Sequence, residues 1–347
     1  MYSLAYRIEL WRGKPEFERN FPVFPLCSSV PLWLILHVTL QTQLATLILY
    51  PDNVPELPEV ETIARGLDRR VAGDIVESIW IGSRKQPLKS PAGVIASTVE
   101  GKRIVRVHRA GKHIVFDLER ETKPKKSTRT DRGTPRQARS QQRSDAETAQ
   151  WIVHLGMTGR LVISEPAADL AKHTHLIAKL ASGRELRFID PRMFGKLSVH
   201  LQPGGFDPGG VEPLEVSEEQ FIALFRGRKT PIKSALLNQK LLRGVGNIYA
   251  DESLFRSGIR PRRRAASITR EQLGKLHLAV REVLREAIAL GGSSISDYVG
   301  ADGEEGFFQL QHRVYGREGE PCLVCGAAIR RVVLIGRSSH YCSKCQK

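Results

Sequence analysis

Three features of the sequence predict an α+β chain of several domains: short strand-like runs between residues 75 and 189, long helical periods between 218 and 290, and two Cys-x2-Cys pairs near the end. Repeated short strands led by one helix indicate a β-sandwich or barrel, with the helical and cysteine-bearing parts as further units. The chain has 347 residues, enough for two domains with real cores, and a hydrophobic fraction of 41% that is ordinary for a globular protein. A fibrous or wholly disordered chain is excluded. The boundaries expected are 55–206 for the β-rich domain, 216–300 for the helical domain and 313–347 for a metal-bound hairpin.

The elements follow in order. From Pro58 the pattern is helical, because Val60, Ile63, Ala64 and Leu67 recur at the i, i+3, i+4, i+7 spacing of one buried face. Pro58 suits the first turn, and Glu59 and Glu61 suit the positive end of the helix dipole. Strands are expected around Ile75 to Ile81, Ile104 to Val107, His113 to Leu118 and Trp151 to Leu155, which are short, β-branched or aromatic, and separated by glycine-bearing turns. Leu176 to Leu180 and Glu185 to Ile189 form a hairpin about Ser182-Gly183. Between Glu119 and Gln150 the composition changes to Lys, Arg, Ser, Thr and Gln, which cannot bury a core and reads as a disordered basic insertion. After the glycine-rich turn at Gly204 to Gly210, helices are expected over Glu218 to Phe225, Pro231 to Leu242, Ile248 to Phe255 and Arg270 to Leu290. The tail returns to short strands around its cysteines.

The formal charge of +16 predicts a polyanionic partner, for which nucleic acid is the commonest candidate. Cys322-x2-Cys325, sixteen residues, then Cys342-x2-Cys345 places two corners of a tetrahedron on each pair. Zinc is the expected ion, one per chain; iron–sulfur ligation is the competitor that spacing leaves open. Four thiolates leave no open coordination position, so the site is expected to be structural. Gly244-Val245-Gly246-Asn247 precedes a helix and exposes backbone N–H groups suited to phosphate. It is not a dinucleotide fingerprint, because Tyr249 stands where glycine or alanine is required and no strand leads in. Taken alone, Asn247 would be an ordinary N-cap, Lys112 in Arg109-Ala110-Gly111-Lys112-His113 a solvated turn residue, and Met157 and Phe194 core plugs.

Val54 is followed by Pro55-Glu56-Leu57-Pro58-Glu59-Val60-Glu61-Thr62, and this run resembles the extreme N-terminus of the formamidopyrimidine-DNA glycosylases. The likeness continues through Lys112, His154-Leu155-Gly156-Met157-Thr158-Gly159, Asp190-Pro191-Arg192-Met193-Phe194-Gly195, Gly244 to Asp251, and the cysteine hairpin with Arg337 five residues before Cys342. It covers Pro55 to Lys347 apart from the insertion. The resemblance implies an N-terminal β-sandwich with a leading helix, a helix-two-turn-helix domain and a C-terminal zinc-finger β-hairpin. It also implies a bifunctional glycosylase and abasic-site lyase that removes 8-oxoguanine and formamidopyrimidines from double-stranded DNA. Such an enzyme is expected to be monomeric and cytoplasmic.

Roles carried over by the resemblance are specific. Pro55 is the nucleophile, Glu56 protonates the sugar ring oxygen, Glu59 assists electrostatically or favours the helix start, and Lys112 joins this catalytic group. Lys112, Asn247 and Arg337 hold backbone phosphates, while Met157, Arg192 and Phe194 fill the gap left by the extruded lesion. Leu57, where the related endonuclease VIII branch has glycine, favours the purine-directed branch. The loop from Asp302 through Glu304-Glu305 to Phe308, which in the family folds over the extruded base, carries two acids here.

In the family the nucleophile is the first residue, and an internal proline cannot serve, because its nitrogen is a tertiary amide without an N–H. Val54 stands where the family has its initiator methionine, and a GTG codon encodes valine internally yet can initiate with methionine. Residues 1–54 are therefore expected to be a non-native leader. They include a run from Pro31 to Tyr50 of mostly Leu, Ile, Val and Thr, about the roughly 20 residues that span a bilayer. His37, Gln41 and Gln43 interrupt that run, and no membrane association is expected.

Overall fold

A computed structural model describes residues 54–120, 148–201, 205–293 and 306–347. The expected leader before Val54, residues 121–147 of the basic insertion and the acidic part of the 302–308 loop lie outside these residues.

The first element, α1 (Leu57–Val71), has a buried stripe of Val60, Ile63, Ala64 and Leu67, as its apolar spacing predicts. That stripe belongs to the core of the β-rich region, whereas Leu57 belongs to the core of the helical region. One helix therefore joins two cores, and its N-terminus lies at their junction. Arg109 reinforces the junction by pairing with Glu61 of α1 at 2.8 Å and with Glu212 at 2.8 Å.

The β-rich region comprises β1 (Val76–Ile81), β2 (Lys102–Ala110), β3 (His113–Arg120), β4 (Thr148–His154), β5 (Arg160–Ser164), β6 (Thr174–Leu180), β7 (Glu185–Ile189) and β8 (Lys196–His200). They form two antiparallel four-stranded sheets, ordered β1-β6-β7-β5 and β2-β3-β4-β8. Leu176, Ala178, Leu186 and Phe188 from one sheet share a core with Ile104, Phe116, Trp151 and Leu197 from the other, so the arrangement is the sandwich and not the closed barrel. Phe116 and Trp151 stack at 4.7 Å in its centre, a contact whose truncation to alanine costs about 3–5 kcal/mol. A helix that the periodicity did not predict, α2 (Ala92–Val99), adds Ile95 and Val99 to this core. The strands β5 and β8 were likewise not anticipated; they flank the two glycine-bearing loops 155–159 and 190–195.

The helical region contains α3 (Glu218–Phe225), α4 (Ile232–Leu236), α5 (Asn247–Arg256) and α6 (Arg270–Ala289). Capping boxes start α3, through Ser217 and Gln220, and α6, through Thr269 and Gln272. The single helix expected over Pro231 to Leu242 is not formed. It stops at Leu236 because Asn238 accepts the Lys240 N–H at 3.0 Å and turns the chain. Leu241 can then accept the Val211 N–H at 3.0 Å.

The C-terminal hairpin pairs β9 (Ile329–Leu334) with β10 (Arg337–Cys342). It docks on α5 through Asp251, which accepts the His340 backbone N–H at 2.8 Å and pairs with buried Lys233 at 2.7 Å. Lys233 also donates to the Ser338 carbonyl at 2.6 Å. Glu252 accepts the N–H groups of Val314 and Tyr315 at 2.9 and 2.8 Å, fixing the segment that leads into the hairpin. Among the described residues no helix is long and apolar enough to cross a membrane.

Candidate functional site

The start of α1 is held against the Gly244–Asn247 turn. The Leu57 N–H donates to the Gly244 carbonyl at 3.0 Å, and a Cβ on Gly244 would come within 2.9 Å of the Leu57 side chain while its φ is +87°. At Gly246 a Cβ would overlap the Glu56 carboxyl group. Both glycines of the motif are therefore required by the approach of Leu57 and Glu56, and not by a nucleotide phosphate alone.

That approach buries Glu56, leaving it 4% exposed. One carboxyl oxygen accepts the Ile248 N–H at 3.1 Å, and the other is buried without a partner. Burial raises its pKa to about 7, against the opposing pull of Lys112. Glu59 accepts the Glu56 N–H at 2.9 Å, the Ser293 N–H at 2.8 Å and the Tyr249 hydroxyl. Burial raises its pKa as well. Glu59 is thus a brace between the chain before α1, helix α5 and the segment after α6; it does not line the cavity described next. Pro55 is buried and immediately precedes Glu56, its nitrogen joined to Val54.

An open cavity of about 600 Å³ receives Glu56 from the start of α1, Lys112 from the β2–β3 turn, Asn247 from α5 and Arg337 from the hairpin. Four residues singled out in separate stretches of sequence thus meet in one place. Burial lowers the Lys112 pKa, while Glu56 and Glu59 oppose that shift. Asn247 is the first residue of α5 and not its N-cap, which is Gly246. Its amide nitrogen reaches the Ser338 hydroxyl at 3.5 Å, and its amide oxygen is buried without a partner. A carboxylic acid beside a cation, a primary amide and a guanidinium is a set that can grip a phosphodiester and deliver a proton next to it.

Met157, Arg192 and Phe194 sit outside that cavity on two loops pinned together by Asp190. Its carboxylate accepts the Thr158 hydroxyl at 2.6 Å and the Gly195 N–H at 2.8 Å. Arg192 lies 5.1 Å from the Phe194 ring, and Phe194 is 52% exposed, so these two present a cation and an aromatic face outward. Met157 is half-buried, short of the core position its type favours.

Three residues of the site were missed in the sequence. His154 lines the cavity; burial first, then neighbouring His113 and Lys112, lowers its pKa to about 4, so the ring is neutral at physiological pH. Its place two residues before the Gly156 turn, whose N–H it accepts at 3.1 Å, was the available signal. Tyr249 and Ser293 contact Glu59 across 190 and 234 residues of chain, and no local pattern announces such partners.

The thiols of Cys322, Cys325, Cys342 and Cys345 lie within 4.8 Å of one another. Individual pairs are 3.8 Å (Cys322 and Cys345) and 3.4 Å (Cys325 and Cys342) apart, against the roughly 3.8 Å edge of a tetrahedron with zinc–sulfur bonds of about 2.3 Å. The four residues fit one structural zinc. Cys322 and Cys342 are buried in a small core with Phe255, near the end of the helix α5 whose first residue is Asn247.

Comparison with known proteins agrees along the chain. Residues 54–197 match the formamidopyrimidine-DNA glycosylase N-terminal domain, residues 210–299 its H2TH domain, and residues 319–347 the zinc finger found in FPG and IleRS. The formamidopyrimidine-DNA glycosylase of Solibacter usitatus is 42% identical over 299 residues, spanning 85% of this chain and 100% of that protein. The MutM (Fpg) protein of Thermus thermophilus superposes with a TM-score of 0.68 at 36% identity, over 84% of this chain and 98% of that one. Wild-type Lactococcus lactis Fpg, solved with N7-benzyl-Fapy-dG DNA, gives a TM-score of 0.70 at 30% identity, over 84% and 100%. The chain belongs to the formamidopyrimidine-DNA glycosylase family.

Proposed function

We propose that this chain is a base-excision repair enzyme that removes oxidised purines, 8-oxoguanine and formamidopyrimidines, from double-stranded DNA and then cleaves the strand at the abasic site. The observation that carries this reading is the convergence of Glu56, Lys112, Asn247 and Arg337 on one cavity beside Pro55. The working form begins at Pro55, which frees a secondary amine; this reading is supported by the match to the family's N-terminal domain, which begins at residue 54. The amine attacks C1′ of the damaged nucleotide while Glu56, which burial keeps protonated in a substantial fraction at neutral pH, gives its proton to the ring oxygen. The C1′–N-glycosidic bond breaks and the base leaves with the bonding pair. The amine gives up its own proton, the C1′–O4′ bond opens with its pair going to the protonated ring oxygen, and the C1′ iminium so formed acidifies the C2′ proton. Loss of that proton expels the 3′ phosphate, and a second elimination expels the 5′ phosphate.

Lys112, Asn247 and Arg337 hold the phosphates around the extruded nucleotide, and Met157, Arg192 and Phe194 occupy the gap in the duplex. Zinc shapes the hairpin that carries Arg337 and takes no part in bond breaking. The enzyme acts in the cytoplasm as a monomer. A cleavage panel tests the substrate: duplexes with 8-oxoguanine opposite cytosine or with a formamidopyrimidine should be cut faster than one with an oxidised pyrimidine, and the reverse order would assign the chain to the endonuclease VIII-like branch.

A further inference from the structure

The two strands of the zinc hairpin are joined by Ile335 and Gly336, which close the Leu334–Arg337 pair. Both turn residues have left-handed φ values, 48° and 74°, the geometry of the type I′ turn that suits a twisted hairpin. Asparagine or glycine favours the first position. A β-branched residue does not, because its Cβ substituents crowd the backbone when φ is positive. Packing does not hold Ile335 there, since it is 73% exposed, the most exposed large apolar side chain among the described residues. Neither turn preference nor burial accounts for isoleucine at this position.

Its surroundings do. Ile335 and its neighbour Leu334 line the same cavity as Glu56, Lys112, Asn247 and Arg337. We infer that Ile335 is a substrate-contact residue whose branched side chain packs on the deoxyribose of the strand held at Arg337. This rests on the reading that the cavity receives DNA. The cations and the amide of the cavity match phosphate oxygens, and the sugar between successive phosphates is the part of the backbone that offers C–H surface. A strained residue kept at a functional cavity with most of its side chain exposed is expected where the contact is made with the ligand. The sign of its effect on folding is then opposite to the sign of its effect on binding.

The test compares wild-type full chain with I335N and I335M, measuring the thermal midpoint and the affinity for a duplex containing a tetrahydrofuran abasic analogue. Asparagine accepts the left-handed turn, so I335N should melt at or above the wild-type temperature yet bind the analogue duplex roughly tenfold more weakly. I335M, which keeps apolar surface, should bind within about threefold of wild type. Wild-type affinity in I335N would overturn the inference, as would a lowered melting temperature in I335N, which would mark a structural role. Failure of the wild-type chain itself to bind the analogue duplex would overturn the parent reading of the cavity, and this inference with it.

Discussion

Glu56→Gln should remove a pH-dependent penalty from the fold. Burial holds the Glu56 carboxyl at about 7 instead of 4.5, so between those values the folded chain keeps a proton that the unfolded chain has released. The sign follows: the group's stability is complete below 4.5 and is lost as pH rises through about 7. The difference between 4.5 and 7, at about 1.36 kcal/mol per pH unit, is roughly 3.4 kcal/mol. Of this, about 2.5 kcal/mol falls between about pH 5 and about pH 8. Glutamine has nearly the same shape, stays neutral at every pH, and keeps an acceptor for the Ile248 N–H. Urea unfolding of wild type and variant at intervals across that range reads the Glu56 contribution together with its coupling to Lys112 and Glu59, the more distant titrating groups being common to both. The variant should gain about 2.5 kcal/mol on wild type from the acid end to the alkaline end while losing base excision. Parallel stability curves would refute the claim that Glu56 is protonated by burial.

The remaining expectations concern metal, phosphate and wedge. Purified protein should contain about one zinc per chain, and Cys325→Ser should weaken DNA binding while leaving the sandwich folded; iron, or no metal, on elemental analysis would contradict the assignment. Lys112→Ala or Arg337→Ala should weaken binding to damaged and undamaged duplex alike and reduce the salt dependence by about one charge each, an effect that would be disproved by a loss confined to damaged DNA. Met157→Ala or Phe194→Ala should lower the excision rate more than the affinity for undamaged duplex, since a wedge acts only once the stack is open; equal losses in both measurements would count against it.

Much of the architecture was legible because burial leaves a period in the sequence. The stripe of α1 and the long α6 show it directly, and the β6–β7 hairpin sits about the expected Ser182-Gly183. What escaped has physical causes. Helix α2 is eight residues long, opens after Pro91 and is rich in Val, Ile and Thr, so its propensity resembles a strand. The end of α4 depends on a side-chain acceptor at Asn238, which competes with a good helical pattern. At the site, Glu56, Lys112, Asn247 and Arg337 stood out through a resemblance, and their meeting in one cavity depends on tertiary packing. Glu59 was read as an electrostatic helper or a helix starter; its carboxylate does accept the Glu56 N–H at the start of α1, and it also bridges Tyr249 and Ser293, which the sequence did not announce. The apolar contribution of Ile335 left no trace in periodicity, since an exposed residue at a hairpin tip obeys neither period.

The central claim is that the Pro55 nitrogen is the nucleophile, and borohydride trapping tests it most directly. An α-amino group with a pKa of about 7.7 to 8.0 keeps an appreciable unprotonated fraction at neutral pH, so protein beginning at Pro55 should form an iminium with lesion-containing duplex that borohydride reduces to a permanent crosslink mapping to Pro55. Protein verified by intact mass to retain Met1 to Val54 should give no crosslink, because its Pro55 nitrogen is an amide. Equal crosslinking by that longer form, through a site mapped elsewhere, would contradict both the start at Pro55 and its assignment as nucleophile.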